Sequence, residues 1–217
     1  MDVIVANFGF LMGGLLTTLQ LSALALFGGI SLGMIVGLAR LSSNPWIYYP
    51  ITIYVNFLRN IPLILVIFWF YFILPIATGE SMNPFAAAVI AFIIFEATYF
   101  GEIFRAGYQT ISKDLISASY ATGMTYRQTA RFILIPIAMR RMAPSLITQS
   151  VVTIQDTSLA FVIGLTELVR RTSIVDNMEL RSLELYGFTA FIYFIICYAG
   201  SQISLYYENK ARKVNLI

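Results

Sequence analysis

The most constraining feature of the sequence is a long stretch without charge near its start. No Asp, Glu, Lys or Arg occurs between Asp2 and Arg40. A helix of about 20 apolar residues crosses a bilayer, so this stretch holds one complete span, from about 8 to 38. No basic residue precedes the apolar run, which excludes a secretory signal peptide. The environment of this chain is therefore lipid, and its backbone must satisfy its own hydrogen bonds there.

The rest of the chain repeats the same pattern. Hydrophobic residues make up 59% of the 217 positions and charged residues 12%, about half the charged share of a soluble domain. Apolar runs predict four more spans, at about 50–76, 85–106, 142–165 and 187–207. Pro62 predicts a kink in the second span. We therefore expect one all-α integral membrane domain, with five transmembrane helices, over residues 1–217.

Composition also excludes several classes of function. Histidine is absent and Cys197 is the only cysteine, so the usual general base and the common metal-ligand clusters are missing. We expect no enzyme activity, no metal site and no cofactor in this chain. The net charge of +3 is small and spread along an apolar chain, which argues against a nucleic-acid partner. Membrane lipid is the expected surrounding.

Lys and Arg residues between the spans predict the orientation, because cytoplasmic loops carry more of them. Three arginines fall on one side of the predicted membrane and ten basic residues on the other. The three are Arg170, Arg171 and Arg181, in a predicted periplasmic loop at 166–186. The ten are Arg40, Arg105, Lys113, Arg127, Arg131, Arg140, Arg141, Lys210, Arg212 and Lys213. The N-terminus is thus predicted outside and the C-terminus in the cytoplasm.

The first span carries glycine at every fourth position. Gly29, Gly33 and Gly37 form a small-xxx-small ridge that lets another helix approach closely. This pattern predicts helix packing, either within the chain or against a twin subunit.

The predicted cytoplasmic loop at 108–141 contains two short helix-forming stretches around Gly123. Gly123 is expected to end the first helix in a left-handed conformation. A second short helix is expected to end at Pro136, because proline disrupts a continuing helix. Two short helices outside the membrane suit docking into a cleft of another protein.

This loop resembles the signature of permease subunits of ATP-binding-cassette importers. Ala118, Gly123, Ile133, Ile135 and Pro136 match the spacing Glu-Ala-Ala, three residues, Gly, nine residues, Ile-x-Leu-Pro, with Ile135 in place of Leu. Ser117 and Ser119 depart from it. The blocks at 58–65, 99–107 and 155–159 also resemble polar amino-acid permeases, and 95–99 and 155–162 resemble the glutamate/aspartate import permeases.

The resemblance implies a type I importer permease fold in a bacterial cytoplasmic (inner) membrane. It implies that Ala118, Tyr120, Gly123 and Pro136 dock an ATP-binding-cassette ATPase dimer. Further implied partners are an extracytoplasmic amino-acid-binding protein and a second similar permease or a copy of this chain. No G-x-x-x-x-G-K-[ST] motif occurs in the sequence, so ATP is expected to be used by the partner chain.

Ionisable residues inside spans are costly and therefore candidates for function. Arg59 and Asn60 precede Pro62, where a broken helix would free backbone groups near the bilayer interior. We expect Arg59 to bind a carboxylate of the substrate through its two parallel donors. The alternative is a permanent ion pair of Arg59 with Asp156 or Glu96.

The run Asp156, Thr157, Ser158 offers one anion and two hydroxyls for a substrate ammonium and carboxylate. Its alternative is local capping of a broken membrane helix. Glu96 is expected to be a structural partner of an arginine, because an anion would repel acidic substrates. Glu102 and Arg105 are expected to pair on one helix face.

Together these features predict a permease that imports a polar amino acid, glutamate or aspartate, by alternating access driven by ATP. The alternative function is an ion-coupled secondary amino-acid transporter. The short chain and the lack of an inverted repeat argue against that alternative.

Overall fold

The computed structural model describes residues 2–213, except the side chains of residues 211–213. The side chains of Arg212 and Lys213, counted above for orientation, lie outside the described part. Within residues 2–213 the chain folds into eleven α-helices, joined in places by wider or tighter helical turns. The helices are α1 (Asp2–Ala6), α2 (Phe8–Ala39), α3 (Pro45–Arg59), α4 (Leu63–Phe68), α5 (Leu74–Thr78), α6 (Pro84–Gln109), α7 (Lys113–Ala121), α8 (Tyr126–Thr129), α9 (Ile135–Asp156), α10 (Leu168–Glu179) and α11 (Ser182–Lys213).

Four helical segments are long and apolar enough to cross a membrane. They are Phe8–Ala39, Pro84–Gln109, Tyr126–Ile163 and Ser182–Lys210. A fifth crossing results if Pro45–Arg59 and Leu63–Thr78 form one span, which bends by 107° at residues 60–62. Pro62 lies in that break, with the extended conformation φ −61°, ψ 138°, where the sequence predicted a kink.

The directions of α2 and α6 show that the bent segment formed by Pro45–Arg59 and Leu63–Thr78 crosses from one end of the bundle to the other. Successive glycines of α2 meet successive positions of α6, from Gly28 beside Ile93 to Gly37 beside Gly101. The helices α2 and α6 therefore run in the same direction. Because they do, the chain between them must travel back to the starting end, and α3 to α5 are the segment that makes this return.

The glycine ridge of α2 packs within the chain, one of the two arrangements that the sequence left open. A Cβ atom added at Gly33 would lie 2.6 Å from Phe100 Cβ and 3.0 Å from the backbone nitrogen of Gly101. A Cβ at Gly37 would lie 2.6 Å from the carbonyl oxygen of Gly101. The two backbones thus touch directly, as small residues allow in membrane helices.

The remaining long helices alternate in direction. Glu96 and Gly107 of α6 contact Gln149 and Met142 of α9, in reversed order along the two helices. Contacts of α9 with α11 are also reversed, since Pro144 meets Ser204 and Val151 meets Gly200. One end of the bundle therefore holds the last residues of α2, α6 and α11 and the first residue of α9, which are Ala39, Gln109, Lys213 and Ile135. We name it the docking end because α7 and α8 lie there.

The structure corrects the prediction that a second short helix ends at Pro136. The chain is helical from Tyr126 to Ile163, and Pro136 lies in the first turn of α9. A π-helical turn at Ala130–Leu134 comes just before it, in which the N–H of Ile135 donates to the carbonyl of Ala130. The wider turn accommodates a proline ring that would clash with the carbonyl four residues back in a regular α-helix. A π-helical turn at Trp69–Ile73 precedes Pro75 in the same way.

At the other end of the bundle, α10 folds over the start of α2. Glu167 is fully buried and accepts hydrogen bonds from the N–H groups of Val169 and Arg170, at 2.8 and 2.7 Å. Thr18 of α2 accepts a hydrogen bond from the N–H of Leu168 at 3.2 Å. Arg171 donates to the carbonyl of Phe10 and lies over its ring. These contacts hold the segment 166–186 against the bundle.

We predict that Gly33→Ala destabilises the domain by about 1–3 kcal/mol, because its methyl group would force the α2 and α6 backbones apart. Gly9→Ala is the matched control, since a Cβ at Gly9 meets no atom within 4 Å. Thermal midpoints of the purified protein in detergent measure both. Equal midpoints for the two variants would contradict the packing role of Gly33.

We also predict a pH effect from Glu167. Burial raises the pKa of this carboxyl group from 4.5 to about 7. The folded state therefore holds its proton more tightly than the unfolded state, and stability falls as the pH rises from about 5 to about 7, by at most about 3 kcal/mol. The variant Glu167→Gln does not lose stability in this way, because an amide does not titrate in this pH range. The difference in thermal midpoint between pH 5 and pH 8 should be smaller in the variant than in the wild type, and an unchanged difference would contradict the assignment.

Candidate functional site

Three arginines surround one glutamate on α6. Glu102 accepts hydrogen bonds from Arg40, which follows α2, and from Arg105, three residues on in α6. Arg59, at the end of α3, brings its Nη1 to 3.9 Å from Glu102 Oε2. We name this group the arginine cluster. It confirms the predicted pairing of Glu102 with Arg105, and it leaves three guanidinium groups sharing one carboxylate.

Arg59 is the most accessible arginine of the cluster. Its side chain is 38% exposed, compared with 11% for Arg40 and 24% for Arg105. Its guanidinium carbon lies over the ring of Tyr99, 5.2 Å from the centroid. The longer distance to Glu102 leaves its donors available for a second anion. The next residue, Asn60, is also exposed, and its amide donates to the carbonyl of Asn56 at 2.6 Å.

Glu96 lies on a different face of α6 and is fully buried. Its Oε2 accepts a hydrogen bond from Gln149 Nε2 on α9, at 2.9 Å. Its Oε1 has no hydrogen-bond partner among the described residues. The prediction that Glu96 pairs with an arginine is therefore wrong. Glu96 and Glu102 are six residues apart, about 120° around a helix, so Glu96 turns away from the arginine cluster.

The run from Asp156 to Ser158 lies where α9 changes into the 3₁₀ helix Thr157–Ile163. Asp156 and Ser158 are half-buried, whereas Thr157 is fully buried. The hydroxyl of Thr157 donates to the carbonyl of Ile154 at 2.6 Å, which is the local backbone bonding considered as the alternative. Asp156 interacts electrostatically with Glu96, so a pair of carboxyl groups lies between α6 and α9.

The predicted site residues thus form two groups, which α6 connects. Arg59 contacts Tyr99 and Glu102, and Asp156 interacts with Glu96. In the described part of the chain, no hydrogen bond or ion pair joins Arg59 to Asp156 or to Glu96. The structure therefore gives no support to the permanent ion pair that the sequence left as an alternative.

The docking segment, defined as residues 113–136, projects from the docking end. Gly123 has the left-handed conformation predicted for it, with φ +82°. Buried Ser119 places its hydroxyl 3.0 Å from that of Thr129, joining α7 to α8. The serine that departs from the importer signature therefore serves this internal contact. Thr125 and Gln128 form a reciprocal capping box at the start of α8.

The surface of the docking segment is open to a partner. Ala118, Tyr120 and Gly123 are exposed, and the side chain of Tyr120 is 46% exposed. Pro136 is half-buried at the junction with α9. Nothing in the described chain covers Tyr120 or the neighbouring Tyr126, which is 66% exposed.

Arg40 was used only to predict the orientation, and Gln149 was not singled out from the sequence. Arg40 follows the long apolar run, and no sequence pattern indicates its contact with Glu102, 62 residues away. Gln149 belongs to a polar stripe on α9 with helical spacing, Ser145, Gln149, Thr153 and Asp156. In a chain this apolar, that stripe is a signal that could have found it.

Comparison with known proteins places the chain in a family. Residues 29–213 match the family described as binding-protein-dependent transport system inner membrane component. The chain is 36% identical over 214 residues to the glutamate/aspartate import permease protein GltK of Escherichia coli O157:H7, covering 95% of this chain and 96% of that one. It is 34% identical to the probable glutamine ABC transporter permease protein GlnP of Bacillus subtilis (strain 168), over 90% of each chain.

Solved structures agree with this assignment. The crystal structure of an amino acid ABC transporter with histidines superimposes with a TM-score of 0.87 at 28% identity, covering 95% of this chain and 96% of that chain. An inward-facing methionine ABC transporter, MetNI, has the same fold, with a TM-score of 0.72 at 19% identity over 93% of this chain and 98% of that chain. The predicted all-α type I importer fold is thereby confirmed. The chain belongs to the binding-protein-dependent transport system inner membrane component family and is a multi-pass permease subunit of an amino-acid ABC importer.

Proposed function

We propose that this permease imports glutamate or aspartate, and that Arg59 contacts a carboxylate of the substrate. The arginine cluster carries the proposal, because it holds three guanidinium groups for one carboxylate and its most exposed member is Arg59. An additional anion is favourable beside such an excess of positive charge. The resemblance to a glutamate/aspartate permease at 36% identity supports the same substrate class.

The proposed substrate path is completed by four further residues, which are Asn60, Asp156, Thr157 and Ser158. Asp156 would accept hydrogen bonds from the substrate ammonium, and the hydroxyl of Ser158 would donate to a carboxylate. The buried Thr157, whose hydroxyl is bonded to Ile154, would act through the backbone geometry at the end of α9. Asn60 lies next to Arg59 at the break in the second span.

The proposed assembly pairs this chain with a second similar permease or with a copy of itself. An ATPase dimer binds the docking segment through Ala118, Tyr120, Gly123 and Pro136, and a loaded amino-acid-binding protein docks at the other end. The docking end then faces the cytoplasm, with the N-terminus outside, as the distribution of Lys and Arg favours. ATP is used in the partner, and the permease needs no cofactor of its own.

Alternating access follows from this arrangement. Closure of the ATPase dimer moves the docking segments and opens the path outward, and hydrolysis resets it inward. Substrate and binding protein shift this equilibrium only by their different affinities for the two states. Membership of the importer family does not favour the alternative, an ion-coupled secondary transporter.

We predict that Arg59→Ala lowers ATP-driven glutamate uptake by at least about 10-fold, the loss expected for a charge-assisted hydrogen bond. Uptake of labelled glutamate, glutamine and arginine into proteoliposomes of the assembled importer measures it. ATP hydrolysis and assembly of the complex should persist.

Arg181→Ala is the matched control, because Arg181 is an exposed arginine that bonds to Glu184 far from the cluster. Normal glutamate transport by Arg59→Ala would show that Arg59 is only a packing residue. Uptake of glutamine or arginine but not glutamate by the wild type would contradict the proposed substrate.

We predict that Gly123→Val weakens binding of the ATPase. A β-branched residue is strained at a positive φ, so the turn between α7 and α8 must change shape. Gly79→Val is a close control, since Gly79 has φ +78° and Gly123 has φ +82°, and a Cβ at either position meets no atom within 4 Å. Gly79 precedes α6 at the opposite end of the bundle.

Co-purification of the ATPase with each permease variant measures this effect. We expect the ATPase to be largely lost from Gly123→Val and kept by Gly79→Val. Equal retention by both would contradict docking at Gly123, and equal loss would indicate a general folding defect.

A further inference from the structure

An open cavity of about 780 Å³ lies between α6, α9 and α11. This volume is within the range of small-molecule sites, about 300–1,000 Å³. Its lining runs from Thr110, at the docking end of α6, to Gln149 on α9. A smaller cavity of about 260 Å³ adjoins it, shares Ile103, Thr110, Arg141 and Ser145, and reaches Glu102.

Most of the side chains that line the larger cavity are polar, although the domain is largely apolar. They are Thr110, Arg141, Ser145, Thr148, Gln149, Ser204 and Glu208. Thr148 and Gln149 lie more than three helical turns from the docking end of α9, where polar groups are costly in a membrane domain and are retained mainly for function. The cavity lies on the α9-facing side of α6, whereas Arg59 packs on the side of α3.

Among the residues that line the larger cavity, Arg141 is the one with a basic side chain. It lines both cavities, and its Nη1 donates to the carbonyl of Thr110 at the end of α6. Its Nε is buried and has no hydrogen-bond partner among the described residues. The neighbouring Arg140 is exposed and is not part of either lining. Nη2 makes no hydrogen bond within the described residues, so it is the donor of Arg141 that is available to an anion in the cavity.

The α9 wall supplies acceptors for the opposite charge. Gln149 donates its amide N–H to Glu96, which leaves its carbonyl oxygen to accept. Ser204 donates to the carbonyl of Pro144 at 3.0 Å, so Thr148 donates to Ser204 and keeps its own lone pairs. A guanidinium faced by amide and hydroxyl acceptors, with the carboxylate of Glu208 also in the lining, matches the carboxylate and ammonium of an α-amino acid.

We propose that this cavity is a second amino-acid site, open to the cytoplasm, in which Arg141 binds the α-carboxylate of the imported amino acid. The inference rests on the proposed function, because the docking end faces the cytoplasm only if the ATPase binds there. An amino acid held in the cavity stabilises the inward-facing state and opposes its return to the outward-facing state. Accumulated product thereby slows its own import.

Inhibition by internal amino acid tests the proposal. Proteoliposomes of the assembled importer are loaded with ATP and increasing unlabelled glutamate, and the initial rate of labelled glutamate uptake is measured. Internal glutamate should inhibit the wild type, and Arg141→Gln should need about 10-fold or more internal glutamate for half inhibition, the effect of losing a charge-assisted hydrogen bond. Arg140→Gln, the matched control, should behave as the wild type.

Ser145→Leu is a second variant that leaves Arg141 in place and fills the cavity. It should also relieve inhibition, which keeps the test valid if Arg141→Gln does not assemble. Absence of inhibition in the wild type, or equal inhibition in Arg140→Gln, Arg141→Gln and Ser145→Leu, would overturn the second site.

The failure of the proposed function gives a different result. In that case the wild type takes up no glutamate, and the loading experiment is repeated with whichever of glutamine or arginine is imported. If none is imported, equilibrium binding of the three labelled amino acids to the nucleotide-free complex in nanodiscs replaces uptake. Binding that Arg141→Gln weakens and Arg140→Gln does not would support the second site, and its absence would overturn it.

Discussion

Glycines of α2 lie against α6 with no side chain between the two backbones, and a methyl group at Gly33 would come within 3.0 Å of the backbone nitrogen of Gly101. Lipid gives membrane helices little hydrophobic reason to associate, so van der Waals contact of this kind must hold them together. The contact also fixes the helices along their length. Glu96 is thereby held beside Gly29, and Arg40, which follows α2, reaches Glu102.

The buried charges depend on that alignment. An ionisable group near the bilayer centre costs at least about 2.5–3.5 kcal/mol, and each carboxylate of α6 reduces the cost differently. Glu102 is surrounded by guanidinium groups. Glu96 has no arginine beside it in the described part of the chain; it accepts a hydrogen bond from the amide of Gln149 and lies near Asp156. One face of α6 is therefore suited to anions, and the other is a weakly compensated acidic interior.

Much of the fold could be predicted because it depends on short-range rules. The apolar runs located the long helices, and Gly123 and Pro62 marked a left-handed turn and a break. The partners of Glu96 and Arg59 could not be predicted, since they depend on how helices far apart in sequence are rotated about their axes. The prediction that a helix ends at Pro136 was wrong for a local reason. Proline ends a regular α-helix, but the sequence does not reveal the π-helical turn that lets the helix continue.

That continuity has a mechanical consequence for the proposed transport cycle. The helix from Tyr126 to Ile163 begins in the docking segment and carries Arg141, Gln149 and Asp156 in turn. Since no flexible loop separates α8 from α9, a displacement of the docking segment is transmitted to these three side chains. The π-helical turn at Ala130–Leu134 is the place where the helix can bend, because its hydrogen bonds are less regular than those of α9. In the proposed cycle, a force from the ATPase would act along this helix, which passes the cavity lining before it reaches Asp156.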